Sequence, residues 1–183
     1  TMKSKKVDRV YVATCDEEIY SHILKIGGNA VYTKKTHERC TERTAEALLK
    51  IERKLNVKFN TVLMIQGDEP MIEPSMINSA LKPFEKYRNV NVVNLMTKIR
   101  DKKEFIDQNE PKVVVDKFNH ALYFSRCPIP SPWISFSKNV FKQVCVIPFK
   151  RDFLIKFLKM KPSYLEKTES IDMNRVLENG YKV

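Results

Sequence analysis

At 183 residues, 43% hydrophobic and 30% charged, the chain is long enough for one substantial core and too apolar for wholesale disorder. No apolar run approaches the roughly 20 residues that span a bilayer and no signal-peptide pattern opens the sequence, so the expectation is a cytoplasmic protein with no membrane partner. The net charge of +11 is unusual, yet the lysines are dispersed and no groove-reading motif accompanies them; this argues against a nucleic-acid partner and suits a protein that handles phosphates and carboxylates.

In chain order, Arg9 to Thr14 ("RVYVAT") reads as a strand, and Asp16 is placed to cap the helix "EEIYSHILKIG", which Gly27-Gly28 closes. Asn29 to Thr33 is a second short strand. Thr41 to Leu55 carries apolar residues near helical period, with Thr41 as the expected N-cap. Thr61 to Gln66 ("TVLMIQ") is nearly all apolar, which predicts a strand buried on both faces, as in parallel sheets. A helix opens near Pro74 and is disturbed at Pro83, and Asn91 to Ile99 is another strand. A short charged helix follows.

Lys112 to Asp116 and His120 to Arg126 flank Lys117-Phe118-Asn119 as a β-hairpin. A proline-rich loop with the sole tryptophan leads to a last strand, Gln143 to Phe149. Two helical segments, "RDFLIKFLKM" and "SYLEKTESIDMNRVLENG", complete the sequence. Strands alternating with helices predict a doubly wound α/β sheet with a hairpin excursion, with no linker that divides it.

The four cysteines (Cys15, Cys40, Cys127, Cys145) have neither metal-site nor disulfide-framework spacing. Three other stretches carry candidate chemistry. Gln66-Gly67-Asp68-Glu69-Pro70 sits at the carboxyl end of a strand, where ligands bind in open α/β sheets. There Asp68 can serve Mg²⁺, which needs only one or two carboxylates beside phosphate and water, or can be simple turn chemistry. Thr41 and Arg43 of "CTER" suit an anion at a helix start, or an ordinary cap with a surface arginine. Arg126, ending "ALYFSR", can clamp a carboxylate or tie down the loop after it.

The segments "VYVATCDEEI", "HERCTERTAEA", "MIQGDEPMI", "ALYFSRCPIPS" and "LEKTESIDMNRVLENGYKV", in this order, resemble the sugar-acid cytidylyltransferases, in particular the family acting on 3-deoxy-manno-octulosonate (Kdo). The resemblance implies a Rossmann-like nucleotidyltransferase fold with a mixed sheet, usually a homodimer. It also implies CTP and a sugar acid as substrates, Mg²⁺ as cofactor, and a role in cell-surface polysaccharide synthesis. By motif, Asp68 would be the catalytic metal ligand, with Glu69 structural; Gln66, Thr41 and Arg43 would bind nucleotide; Arg126, Gln143 and Glu169 would face the sugar.

The family's basic phosphate loop would precede Thr1 and its second metal carboxylate would follow Val183. The expectation is therefore one domain over residues 1–183, incomplete at both ends, and inactive or very weak as it stands; an inactive nucleotide-binding fragment is the alternative. The family's His-Ile-Gly-Ile-Tyr-Ala-Tyr strand reads Gln143-Val144-Cys145-Val146-Ile147-Pro148-Phe149 here. Its Glu-Gln-Leu-Arg block reads Asp172-Met173-Asn174-Arg175, and Cys40 replaces a glycine. Exchanged polar groups change which hydroxyls a pocket satisfies, which leaves another acceptor, such as a nonulosonic acid, open.

Overall fold

The computed structural model describes residues 1–132 and 139–183, so the tryptophan of the proline-rich loop, Trp133, lies outside the described residues. The chain runs β1 (Val12–Thr14), α1 (Glu17–Lys25), β2 (Ala30–Tyr32), α2 (Cys40–Leu55), β3 (Thr61–Ile65), α3 (Pro74–Lys86), β4 (Leu95–Lys98) and α4 (Lys102–Ile106). It continues through β5 (Lys112–Val115), β6 (Ala121–Ser125), β7 (Phe141–Val144), β8 (Val146–Lys150), α5 (Arg151–Leu158), α6 (Tyr164–Glu169) and α7 (Asp172–Glu178).

Local signals act where they stand. The Asp16 carboxylate caps α1 by accepting the Ile19 N–H at 3.0 Å, and Gly27 leaves that helix at φ +77°, a conformation glycine adopts without strain. The hairpin β5–β6 turns through Asn119 at φ 63°, with Asp116 accepting from the Phe118 and His120 N–H groups, each at 2.8 Å. Helix α3 opens at Pro74 as expected but passes through Pro83 and ends only at Lys86.

The sheet is mixed, and the parallel share is smaller than the sequence pattern predicts. Among the described residues β1 and β2 pair parallel, β3 and β8 antiparallel, and β4-β7-β5-β6 form a four-stranded antiparallel sheet. The strand buried on both faces is β8, not β3. Of β3 only Met64 is buried, whereas Val146 to Phe149 are all buried. The reason is position: β8 has β3 along one edge and the Val92–Val93 segment along the other, with the Val93 N–H donating to the Pro148 carbonyl at 3.0 Å. The core gathers on β8 and α5, through Phe149, Phe153, Leu154 and Phe157, against Met173 and Val176 of α7.

Two expected elements are broken. The strand foreseen over Gln143 to Phe149 is split at Cys145 into β7, which pairs with β4 and β5, and β8, which pairs with β3. The last helical segment is split at Ser170, which adopts φ 55°, so that α6 and α7 meet at an angle. A buried ion pair fixes that angle. Arg175 Nε donates to Glu166 Oε2 at 2.6 Å and Nη2 donates to Oε1, while the guanidinium lies 4.4 Å from the centre of the Phe157 ring. Neighbouring Asn174, also buried, bonds the Phe124 N–H and carbonyl and so closes the outer edge of β6.

With side chains only 1% and 3% exposed, neither partner of the Glu166–Arg175 pair can recover its hydration if the other is removed. Glu166→Ala is expected to lower unfolding stability by about 3–5 kcal/mol, measured by urea denaturation. A loss below about 1 kcal/mol, the size of a surface pair, would contradict this reading.

Candidate active site

Strand β3 ends in a turn whose two acids have opposite fates. The Glu69 N–H returns to the Gln66 carbonyl at 3.3 Å, and the Gln66 N–H donates to the Cys145 carbonyl at 3.3 Å. The Glu69 carboxylate then accepts the Cys145 N–H at 2.8 Å. Cys145 is the residue at which β7 and β8 part, so its N–H belongs to no strand ladder and needs another acceptor. Asp68, one residue earlier, is exposed, and among the described residues no side chain or N–H bonds its carboxylate. Open space lies beside Gly67.

The start of α2 faces this corner. The cap lies two residues before the expected Thr41, at Arg39, with no side-chain cap bond. Thr41 is thus inside the first turn and not the N-cap. Its hydroxyl, fully buried, donates to the Asp172 carboxylate at the start of α7. Arg39 Nε lies 3.6 Å from Asp172 Oδ1, and its Nη1 donates to Ser170 Oγ at 2.8 Å. Arg43 Nη1 donates to Thr33 Oγ1 at 2.6 Å, tying the helix to the end of β2.

Charge is concentrated here. Burial pushes the Asp172 carboxyl above the usual range despite the Thr41 bond and the Arg39 charge. Burial also raises the Cys40 thiol, and Asp172 and Asp68 add to it; Cys145 is pushed up to about 12 by burial, Glu69 and Asp68. Both thiols are thus disfavoured as thiolates. The same couplings bring Asp68, Asp172, Cys40 and Cys145 into one electrostatic neighbourhood.

A second group forms at the end of β6. Glu169 accepts from Tyr123 Oη at 2.7 Å, Ser125 Oγ at 2.8 Å and the Arg126 N–H at 2.8 Å. Burial works to raise its carboxyl, yet these donors and the Arg126 charge outweigh it and hold the group below its ordinary value. Arg126 Nε donates to the Glu169 carbonyl at 2.7 Å and Nη1 to the Gln108 carbonyl at 2.9 Å. Ser170, the partner of Arg39, follows Glu169 directly, so the two groups share one chain corner. The Gln143 amide donates to Asn94 Oδ1 on the β4 side, and its N–H donates to the Pro111 carbonyl at 2.8 Å.

The structure thus gathers Gln66, Asp68, Thr41 and Arg43 at one corner, and Arg126 with Glu169 at the next. Sequence reasoning had singled out neither Arg39 nor Asp172 as site residues. A helix-breaking glycine or proline at Ser170 would have marked the approach of α7 to α2; none is there. Among the described residues no three His, Cys, Asp or Glu side chains form a metal cage. At this corner, among the described residues, Asp68 offers an unbonded carboxylate, a donor that fits Mg²⁺ carried in with substrate phosphates.

The loop that leads into Arg39 and the start of α2 is fastened by Glu46 of that helix, which accepts the Lys34 N–H at 3.0 Å, pairs with Lys50 at 2.8 Å and bonds the His37 ring. Burial works to raise its carboxyl, but the Lys50, Lys34 and His37 bonds outweigh it and lower it from 4.5 to about 2. The folded form therefore gains stability from ionised Glu46 above pH 4.5 and loses it progressively as pH falls towards 2. Unfolding measured across this interval is expected to show a shallower acid slope for Glu46→Gln than for the parent; an unchanged slope would contradict the coupling.

The sequence model of the family described as Cytidylyltransferase matches residues 1–183. A 3-deoxy-manno-octulosonate cytidylyltransferase of Fusobacterium nucleatum subsp. nucleatum is 40% identical over 181 residues, 99% of this chain and 72% of the relative. One of Geotalea uraniireducens is 38% identical over 100% of this chain and 75% of its own length. A solved CMP:2-keto-3-deoxy-manno-octonic acid synthetase complexed with CTP superposes with TM-score 0.88 at 30% identity, covering 99% of this chain and 72% of that one. A 4-diphosphocytidyl-2C-methyl-D-erythritol synthase from Anaerococcus prevotii, 17% identical, shares the fold with TM-score 0.55 over 98% of this chain and 68% of its own. Among the described residues, no helix is long and apolar enough to cross a membrane.

Proposed function

This chain belongs to the cytidylyltransferase family, and on that premise we propose that it transfers CMP from CTP to 3-deoxy-manno-octulosonate, releasing pyrophosphate. The anomeric hydroxyl oxygen of the acid bonds to the α-phosphorus of CTP as the α–β anhydride breaks. The hydroxyl proton is released and pyrophosphate leaves with the electron pair of the broken bond. The observation that carries the proposal is the division of labour at the end of β3: Glu69 is committed to the Cys145 N–H, while Asp68 is left free and exposed.

Each part of the corner has a task in this reaction. The first turn of α2 directs backbone N–H groups, with Arg39 and Arg43 beside them, towards an anion. Thr41 and Asp172 lock α2 to α7, so that this turn keeps its place relative to Asp68. Asp68 would hold a Mg²⁺ ion brought in with the substrate phosphates, which would supply charge neutralisation for the transfer. Arg126 has Nε and Nη1 fixed on carbonyls and, among the described residues, Nη2 without a partner, available to the carboxylate of the acceptor acid. The resemblance of sequence extends the proposal to a homodimer working in the cytoplasm ahead of cell-surface polysaccharide assembly.

Binding tests the reading through the contrast between the two neighbouring acids. CTP with Mg²⁺ is expected to raise the Tm of the parent chain by mass action. Asp68→Asn should keep the parent's ligand-free Tm and lose the Mg²⁺-dependent part of that rise. Glu69→Ala should lower the ligand-free stability by about 1–3 kcal/mol, since the Cys145 N–H is left without an acceptor. A parent chain that CTP and Mg²⁺ do not stabilise, or an Asp68→Asn variant with an undiminished Mg²⁺ response, would overturn it.

A further inference from the structure

Lys112 opens β5 with its side chain fully buried. Its ammonium donates to the Asp107 carbonyl at 2.7 Å. The next carbonyl along, that of Gln108, accepts from Arg126 Nη1 at 2.9 Å. Two cations from adjacent strands thus grip consecutive peptide groups of the turn after α4. Carboxylates near them are already committed. Asp107 Oδ1 accepts the Asn109 N–H at 2.8 Å, Glu110 pairs with Lys142 at 2.9 Å, and Glu169 holds its three donors. Among the described residues neither Lys112 nor Arg126 forms an ion pair with a carboxylate.

A buried ammonium is costly; Asp107 and Glu110 offset the Lys112 charge only through space, as Glu169 does for Arg126. Burial pushes the Lys112 ammonium below its ordinary value, with Arg126 adding to the effect and Asp107, Cys127 and Glu110 opposing it. A carboxylate arriving at Arg126 would add a further counter-charge close to both cations.

We propose that Lys112 is a positioning and charge-selecting residue for the acceptor: it fixes the Asp107–Gln108 turn that orients Arg126, and its buried charge makes the subsite demand an anion. Lys112 does not itself touch the acceptor. The inference rests on the reading of Arg126 as the partner of the acid, and it adds a source of discrimination behind that residue.

The test is isothermal titration of the full chain, loaded with CTP and Mg²⁺, with 3-deoxy-manno-octulosonate and with its methyl ester. Lys112→Gln keeps a donor for the Asp107 carbonyl and removes the charge. It should weaken binding of the acid about tenfold, the order expected of one nearby charge across a partly screened gap, while binding of the ester and of CTP stays at the parent level. Lys112→Arg should restore the preference for the acid. Lys112→Met fills similar volume without a charge to bury and gives the same readout should the glutamine variant fail to fold. Equal loss of acid and ester, or a charge-free variant that binds the acid as the parent does, would overturn the proposal and leave the function standing. A parent that binds CTP but not the acid would defeat the acceptor reading and this inference together.

Discussion

The hydrogen bond from the Cys145 N–H to the Glu69 carboxylate is the constraint on which the site depends. It joins a strand end to a strand break, and both sides need it. Cys145 lies where the chain leaves one sheet for another, with a backbone donor that no ladder can satisfy. Glu69 lies where β3 stops, with a carboxylate that a half-buried turn must place somewhere. Their union lets β8 enter the core beside β3 while β7 turns away to β4 and β5. It also sets the direction of the residue before it. With Glu69 turned inward, Asp68 is directed outward and left free.

Around that point the fold uses ionic and polar contacts to bring distant helix starts together. Thr41 and Arg39 meet Asp172 across 131 and 133 residues of chain, and the buried Glu166–Arg175 pair holds α7 at the angle that makes the meeting possible. Glu46 fastens the connecting loop from the other side of α2. These bonds cost desolvation and are weak arguments for stability as such. What they supply is placement: a helix start, two guanidinium groups and a free carboxylate held in one corner, with Arg126 and Glu169 one residue from the same junction.

Much of this was legible locally and little of it globally. Asp16, Gly27 and Pro74 announce helix boundaries because a cap, a positive φ or a fixed φ acts on its immediate neighbours. The hairpin around Asn119 is legible for the same reason. The break at Cys145 is not, because Val144, Cys145 and Val146 form an unbroken apolar run and the acceptor that stabilises the break stands 76 residues away. An all-apolar run likewise placed β3 in the deepest position, where tertiary packing instead put β8; apolarity records that a strand is covered, not by which partner or in which direction. At the site, Asp68 and Arg126 could be found from strand ends, and the resemblance to sugar-acid cytidylyltransferases gave them roles. Asp172 was invisible as a site residue because its approach to Thr41 depends on the turn at Ser170, which carries neither glycine nor proline.

The most direct test of the central claim, that Asp68 and not Glu69 is the carboxylate offered to a nucleotide-borne cation, is a crystal structure of this chain soaked with CTP and Mn²⁺, with the ion located by anomalous scattering. The expected result is one manganese peak within bonding distance of Asp68 and of CTP phosphate oxygens, with Glu69 still bonded to the Cys145 N–H. A peak bound by Glu69, or bound nucleotide whose manganese leaves Asp68 untouched, would contradict it.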